Sequence, residues 1–484
     1  MLSFNKESRQ VRRHRERQQQ KAKQAQDNLE HQTYLNMKNL LTTVLSEENL
    51  QEIARKTKFQ QRIRKLTPFA LVAIFMLGCS NGSDDVPVAA LDTMCLYLRK
   101  WFNIYIKRQS LQSKINCPET AMFMKEVMTR VMSHEIDKIL AKLLTKKRKI
   151  NLYARILIQD SSIISLPETL SRFFKGCGGS ASKAAVKCDY IIDQCNHLIV
   201  KMKCVAGKVP DSTLSGDIID YVQEDDLIIR DLGYFNLANF SKIACKNAYF
   251  ISRLLKGVCV YLNKDAEQPV NLIEHLEKLG ANHKSIDIDV YIGKTERLSV
   301  RLIGVKVPPE VVESRRQQYK KARGRKEPSE SLQEWYGYTL MITNIQRDQL
   351  SLKSILKLYK IRWQIELFFK NMKSILVLDQ LTGNNKYRIL CLIFTKLAVT
   401  WIASLLYAYA QTRIGQNKEV SRFKFTRWLK DLGNLKEALC TGDFTMLLEA
   451  LERDLDLLCK QIKKYVVHKI EKTLENKQSN RKIA

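Results

Sequence analysis

Five polar side chains recur at helical spacing in the stretch from Ser351 to Leu378, which contains no proline or glycine. They are Tyr359, Arg362, Glu366, Lys370 and Lys373. At about 100° per residue they lie on one face of a single long helix. A carboxylate can ligate a hard divalent cation, and arginine and lysine can hold phosphate groups beside it. The stripe therefore predicts phosphate chemistry at a metal ion. A plain amphipathic helix with charge pairs such as Glu366–Lys370 is the alternative.

The spacing of this stripe resembles the YREK signature of the insertion-sequence-four family of bacterial DDE transposases. The matching positions are Tyr359, Arg362, Glu366 and Lys373, within the string YKIRWQIELFFKNMKS. Upstream, the motifs IQDSS and RDLGYF resemble the first and second catalytic blocks of the same family, in the same order. The resemblance covers roughly residues 35–410.

The resemblance implies a ribonuclease-H-like fold and three catalytic, metal-binding acids: Asp160, Asp231 and Glu366. These acids would bind two Mg²⁺ ions, with Mn²⁺ as a substitute. The sequence places both aspartates at the ends of apolar stretches that are predicted as strands. In mixed α/β sheets, ligand-binding groups gather at such ends. A single aspartate at a strand end is more often a turn or cap residue, so only the combination with Glu366 indicates a site.

The predicted fold class is α/β, with a ribonuclease-H-like catalytic core that a β-rich insertion interrupts and that N-terminal and C-terminal helical regions flank. The predicted divisions are a disordered basic arm (1–33), a helical DNA-binding domain (34–149), the core (150–240 and 349–410), the insertion (241–348) and a C-terminal helical region (411–484). The arm could be helical only on binding, and it could contact DNA phosphates or be a solvated tail. The C-terminal region could self-associate or fold onto the core.

The charge of the chain favours a polyanionic partner. Lys and Arg number 81 against 50 Asp and Glu, which gives a net charge of +31. Nucleic acid is the first candidate for such a partner and an anionic membrane surface is the second. Seven cations crowd the segment from Arg315 to Lys326, and we predict that its members Arg315, Arg316, Lys320 and Lys321 bind DNA backbone.

An aromatic side chain at the start of the strand that precedes the helix with the YREK signature is a further candidate for DNA binding. In cut-and-paste relatives a tryptophan near this place stacks on a flipped base, and here Trp335 and Tyr338 are the candidates. Together with Tyr359, Arg362, Lys370 and Lys373 of the stripe, they complete the predicted DNA-binding set.

The remaining features of the sequence indicate the setting of the protein. The 12 cysteines show no paired spacing, which argues against a zinc finger or a disulfide scaffold. We therefore expect free thiols in a reducing, intracellular environment. The apolar stretch from Ile389 to Ala410 is long enough to span a bilayer, but Lys396 interrupts it, so we predict a buried helix. We expect no membrane association, and a cytoplasmic location on the bacterial nucleoid.

The predicted function is metal-dependent cleavage at transposon ends followed by strand transfer, with double-stranded DNA as substrate and target. Holding two element ends requires at least a homodimer in the DNA complex. Two alternatives stay open on the sequence. One is a domesticated or inactive transposase that only binds DNA, and the other is a metal-dependent DNA nuclease of the same fold.

Overall fold

The computed structural model describes most of the chain, and its residues form two compact units. The first unit comprises Met1–Leu144 and Ser374–Ile462, and the second comprises Thr145–Lys373 and Lys463–Ala484. The described residues are 9–60, 62, 65–80, 91–132, 153–179, 181–280, 285–376, 381, 384–414, 418–431 and 433–461.

Helices form most of the first unit and flank the sheet of the second. They are α1 (Arg9–Val44), α2 (Glu47–Lys56), α3 (Pro68–Ser80), α4 (Leu91–Phe102), α5 (Arg108–Ile115), α6 (Pro118–Val131), α7 (Asp211–Leu214), α8 (Leu237–Cys245), α9 (Leu272–Gly280), α10 (Pro309–Ala322), α11 (Glu330–Tyr336), α12 (Leu352–Tyr359), α13 (Trp363–Leu376), α14 (Lys386–Thr412), α15 (Arg422–Asp431), α16 (Gly433–Thr441) and α17 (Thr445–Leu458).

The strands are concentrated in the second unit. They are β1 (Ile156–Leu166), β2 (Ala184–Asp193), β3 (Leu198–Ala206), β4 (Leu227–Arg230), β5 (Tyr249–Arg253), β6 (Val260–Tyr261), β7 (Ser285–Ile292), β8 (Leu298–Lys306), β9 (Tyr338–Thr343), β10 (Lys418–Val420) and β11 (Cys459–Gln461). The last two pair with each other in the first unit.

The N-terminal segment differs from its prediction, because α1 begins at Arg9 where a disordered arm was expected. The segment contains no proline or glycine and is rich in glutamine, lysine and arginine, which are all good helix formers. Toward its end, Met37 and Leu41 are buried at a spacing of four residues. Burial of these two apolar side chains stabilises the helix. Composition alone indicated a solvated tail, because it does not show which side chains become buried.

Helix α14 is the one described helix that is long and apolar enough to cross a membrane by length and composition. Almost all of its side chains are buried inside the protein, where it packs against α3 and α6. Such burial is what the sequence predicted for this stretch. The helix belongs to the first unit, whereas the predicted boundaries assigned it to the catalytic core. A helix with an apolar surface all round needs neighbours on every side, and helices of the first unit supply them.

One continuous nine-stranded sheet runs through the second unit in the order β3-β2-β1-β4-β5-β9-β8-β7-β6. The pairs β1–β4 and β4–β5 are parallel, and the other pairs are antiparallel. The strands predicted for a separate insertion therefore extend the same sheet. The joint between the predicted core and the predicted insertion is the parallel pairing of β4 with β5, where Ile228 lies opposite Phe250, so the backbone hydrogen bonds continue across it.

The main apolar core of the second unit lies where α8 and α9 cover one face of this sheet. Phe240 of α8 stacks on Phe250 of β5 with ring centroids 4.6 Å apart. Leu276 of α9 is fully buried in the same cluster as Leu302 of β8. Because one cluster spans core and insertion strands, both halves of the sheet are stabilised together.

A buried arginine ties the insertion strands to the segment that leads into α12. Arg301 of β8 donates to both carboxylate oxygens of Asp287, at 2.7 and 2.5 Å, and to the carbonyl of Leu350 at 2.7 Å. Its side chain is only 4% exposed. Arg347 also binds Asp287, but its side chain is 41% exposed.

We expect Arg301→Met to lower the free energy of unfolding by about 3 kcal/mol, because the change leaves a partly buried carboxylate and a buried carbonyl without their donor. Urea unfolding followed by circular dichroism measures this loss. The matched control is Arg347→Met at the exposed partner of the same carboxylate, for which we expect a loss below about 1 kcal/mol. Equal losses in the two variants would contradict the assignment.

Candidate active site

The two predicted aspartates follow the last pair of residues that β1 and β4 share. These parallel strands end their pairing at Gln159 opposite Arg230, and the next residues are Asp160 and Asp231. Asp231 directly follows the end of β4, as predicted. Asp160 does not end its strand, because β1 stays paired with β2 as far as Leu166. What matters is therefore the end of the parallel pairing, at which both carboxylates lie side by side.

The predicted long helix over Ser351–Leu378 is divided in the structure. Ser351 caps α12 by accepting a hydrogen bond from the N–H of Ser354. After α12, one turn of 3-10 helix over Lys360–Arg362 precedes α13. The prediction that the five side chains lie on one face of a single long helix is therefore wrong. A 3-10 turn has about three residues per turn and changes the direction of later side chains.

Aromatic packing holds α13 beside Asp160. Phe368 and Phe369 contact the ring of Tyr190, with centroids 5.8 and 5.1 Å from it. Tyr190 lies directly opposite Asp160 in the β1–β2 register, and opposite residues of an antiparallel pair share one face of the sheet. The packing therefore places Glu366, on the same helix, next to the first aspartate.

Arg362 connects two of the three acids. It contacts Asp160 with its Nη1 3.4 Å from Oδ2, and it donates through Nη2 to Oε1 of Glu366. The hydroxyl of Tyr359 donates to Oδ1 of Asp231 at 3.4 Å. The structure thus brings together five of the predicted site residues from three separate segments of the chain.

The negative charge of this group is visible in its ionisation. The pKa of Asp160 is raised to about 6, chiefly by burial, and the charges of Asp231 and Glu366 act in the same direction. The N–H of Ser161, 2.8 Å from Oδ1, and the guanidinium of Arg362 act in the opposite direction. Burial and the charge of Asp231 also raise the pKa of Tyr359 above its usual range. A further cation would therefore be favoured beside Asp160.

The donor chemistry of the acids suits Mg²⁺ or Mn²⁺, because both ions prefer carboxylate oxygens. Within the described ranges, no three Asp, Glu, His or Cys side chains come close enough to enclose one metal ion. Instead, the guanidinium of Arg362 reaches both Asp160 and Glu366. The acids fit a metal ion by type, and in this arrangement they are gathered on an arginine.

The basic segment around α10 is used differently from its prediction. Arg315 donates to the carbonyls of Tyr336 and Tyr338, both at 2.8 Å, so it holds the chain between α11 and β9. Arg316 and Lys320 are paired with Glu327, an acid just past the run that the sequence analysis considered. These three cations thus bind within the protein, and Lys321 of the predicted set stays exposed.

The predicted stacking residues also have structural roles. Tyr338 is only 8% exposed at the start of β9, and Trp335 packs against the apolar core. Lys370 and Lys373 lie on α13, but their side chains are outside the described part of the structure.

Two residues that the sequence analysis did not select adjoin Arg362 and Tyr359, the residues that contact the acids. Trp363 follows Arg362 directly, and its indole is 56% exposed. Arg253, at the end of β5, acts electrostatically on Tyr359. The position of Trp363 three residues before Glu366 was a readable signal, because residues three apart are neighbours on a helix. For Arg253 only the strand order supplies the proximity.

Comparison with known proteins agrees with this geometry. A family model described as "Transposase DDE domain" matches residues 153–402. The chain is 25% identical over 409 residues to the transposase for insertion sequence element IS231F of Bacillus thuringiensis subsp. israelensis, covering 81% of this chain and 84% of that protein. It is 24% identical over 417 residues to the transposase for insertion sequence element IS1151 of Clostridium perfringens, covering 82% and 86%.

Among solved structures, the chain is similar to the piggyBac transposase in its synaptic complex with hairpin DNA, at 10% identity and a TM-score of 0.46. That similarity covers 87% of this chain and 85% of the other. The family match extends over more than half of the 484 residues and includes Asp160, Asp231 and Glu366. The chain therefore belongs to the transposase DDE domain family.

Proposed function

We propose that this chain is the transposase of an insertion sequence, an enzyme that cuts DNA at the ends of its element and joins the freed ends to a target. The observation that carries the proposal is the convergence of Asp160, Asp231 and Glu366 around Arg362. Three carboxylates collected from three distant segments cost electrostatic energy, and phosphoryl transfer is the chemistry that needs them. Membership of the insertion-sequence-four family is consistent with the relatives that the chain resembles.

The strand order supports a ribonuclease-H-like catalytic core with a β-rich insertion. The segment β3-β2-β1-β4-β5 contains two antiparallel pairs followed by two parallel pairs, and it carries the first two acids. The strands β6 to β8 and the helices α9 to α11 lie in the chain between β5 and β9, before the third acid. On this proposal they are the insertion, joined to the core through β9, whereas the boundaries predicted from the sequence (241–348) also placed β5 and β9 in it.

The side chains have separate roles in the reaction. Asp160, Asp231 and Glu366 would hold two Mg²⁺ or Mn²⁺ ions, which activate the attacking oxygen and stabilise the leaving oxygen. Arg362, now bound to two of these acids, would turn its guanidinium to the phosphate at the cut, for which its planar fork is suited. Tyr359 orients Asp231 through its hydroxyl. The exposed indole of Trp363 offers a stacking surface for an unpaired base at the cut end.

DNA backbone would be held by cations that the protein does not neutralise. At the end of α10 and in the loop that follows it, the side chains of Lys321, Arg323, Arg325 and Lys326 are exposed and make no hydrogen bond or ion pair with any described residue. Four such charges within six residues favour phosphate binding by counterion release.

The helical domain predicted over 34–149 offers a second basic surface, between α4 and α5. There Arg99 lies over the ring of Tyr105 at 5.0 Å and Lys100 over Trp101 at 5.3 Å, and these four side chains are exposed. Cations backed by aromatic rings can contact both phosphates and bases. Two such surfaces per chain suit a homodimer that holds both element ends. The proposed location is the bacterial cytoplasm, where the protein would be bound to DNA.

We expect Glu366→Gln to abolish Mg²⁺-dependent nicking at the element's own terminal sequence, with a rate below about one hundredth of wild type, because a neutral amide is a far weaker metal ligand. The measurement uses a labelled duplex of that sequence with Mg²⁺ or EDTA. Binding to the duplex without metal should be retained. Glu310→Gln, at an exposed acid of α10, is the matched control and should nick normally.

A pre-cut end and a target plasmid then test strand joining in the same preparation. Joining by the wild type supports a transposase. Nicking without any joining would favour a nuclease of this family, and binding without nicking in Mg²⁺ or Mn²⁺ would contradict both enzymes.

The pH dependence should follow the ionisation of Asp160, whose pKa is raised to about 6. Its proton competes with the metal, because only the carboxylate ligates. The Mn²⁺ concentration for half-maximal nicking should therefore rise about tenfold for each pH unit below 6 and level off above about pH 7. Titrations of Mn²⁺ between about pH 5 and about pH 8 measure this. A constant half-maximal concentration over that range would contradict the assignment.

Removing the exposed cations after α10 should weaken DNA binding in a salt-dependent way. For Arg323→Gln with Arg325→Gln, we expect the slope of log affinity against log salt to become shallower by about 2, since each lost phosphate contact removes about 0.9. Arg316→Gln is the matched control, because its guanidinium is already paired with Glu327. An equal change in the control would rule out a specific role for the loop.

A further inference from the structure

The residues that directly precede the two aspartates are bonded to each other. Gln159 and Arg230 form the last pair of the β1–β4 register, and Nη2 of Arg230 donates to Oε1 of Gln159 at 2.8 Å. Successive side chains of a strand point to opposite faces. The link therefore lies on the far side of the sheet from Asp160, directly behind the acids.

This link belongs to a buried polar network. The amide of Gln159 donates to Oδ2 of Asp189 and to the carbonyl of Leu214, both at 3.0 Å. Arg230 also donates to the carbonyl of Ser215. On the other side of Asp189, the hydroxyl of Tyr234 donates to Oδ1 at 2.5 Å. The network therefore connects β1, β2, β4 and the turns that follow α7 and β4.

Burial of this network is complete. Gln159, Asp189 and Arg230 are each 0% exposed, and Arg230 is the largest fully buried side chain among the described residues. Its Nε and Nη1 have no hydrogen-bond partner. Burial lowers the pKa of Arg230 to about 10.

An arginine in this position is a poor choice for stability. A buried charge with incomplete hydrogen bonding costs more than an apolar side chain of similar volume. The guanidinium makes directional hydrogen bonds to two elements at once, because its planar fork reaches a side chain on β1 and a carbonyl just after α7. A buried network of this kind favours one arrangement of the strands that it joins.

From this geometry we infer that Arg230, acting through Gln159, is a positioning residue that sets the separation of Asp160 and Asp231 for two metal ions. The inference rests on the proposed function of these acids. Gln159 and Arg230 each lie one residue before an acid, so a shift of either strand end moves the carboxylate that follows. Metal sites tolerate ligand displacements of only a few tenths of an ångström, roughly.

The test compares Arg230→Met with wild type in two assays. Direct Mn²⁺ binding to the DNA-free protein, followed by electron paramagnetic resonance, should weaken about 10- to 100-fold. The Mn²⁺ concentration for half-maximal nicking should rise by a similar factor, while metal-free binding to the terminal duplex stays unchanged. Gln159→Leu leaves the bond of Arg230 to Ser215 and should shift Mn²⁺ binding in the same direction, which keeps the test available if the arginine variant does not fold.

Arg301→Met is the matched control, because it removes another buried arginine of the same sheet, away from the acids. It should lower the melting temperature at least as much and leave Mn²⁺ binding at the wild-type level. Wild-type Mn²⁺ affinity in both network variants would overturn the inference, as would an equal loss in the Arg301 variant. A wild-type protein that binds Mn²⁺ and nicks DNA keeps the proposed function intact in either case, whereas one that does neither overturns both.

Discussion

Mutual repulsion of three carboxylates is the constraint on which the second unit depends. Asp160 and Asp231 lie side by side where the β1–β4 pairing ends, and Glu366 approaches from α13. Such a group persists only when positive charge is nearby. Arg362 provides that charge in the structure by contacting Asp160 and Glu366. On the proposed function, metal ions would take the place of its guanidinium, which would then be free to contact the DNA phosphate.

The sheet separates two kinds of support for the acids. On the face that Asp160 shares with Tyr190, the phenyl rings of Phe368 and Phe369 hold the helix that carries the third acid. Toward the opposite face, the bond between Gln159 and Arg230 joins the strands that carry the first two. Apolar packing tolerates small adjustments, whereas directional hydrogen bonds do not. The positioning role inferred for Arg230 therefore concerns the distance between the aspartates, whereas the aromatic packing concerns the approach of Glu366.

The basic residues that give the protein its high net charge fall into two groups, those that bond within the protein and those that stay exposed. Arg301 and Arg315 are rich in internal hydrogen bonds and stabilise the insertion strands. The cations that remain available, such as Arg323 and Arg325, are on an exposed loop. A count of basic residues measures the sum of these two populations, and only the second contributes to the salt dependence of DNA binding.

The sequence by itself determined the family resemblance, the choice of the three candidate acids and the alternation of strands and helices, because these depend on residue type and local spacing. It also indicated that α14 is buried, since a helix that is apolar on all sides needs neighbours all round. The continuous helix through Arg362 was wrong, because a 3-10 turn leaves no composition signal. The roles of Arg315, Trp335 and Tyr338 depended on partners that only the fold brings near.

Only the tertiary structure decided which residues meet across the chain. Glu327 neutralises cations that precede it, and Gln159 meets Arg230 because two strands distant in sequence pair in one register. Neither contact can be read from spacing, since long-range pairing is decided by how whole strands and helices share a core. The sequence determined which groups could do the chemistry, and the packing of sheet and helices determined where they are, because contact distances depend on the path of the entire backbone.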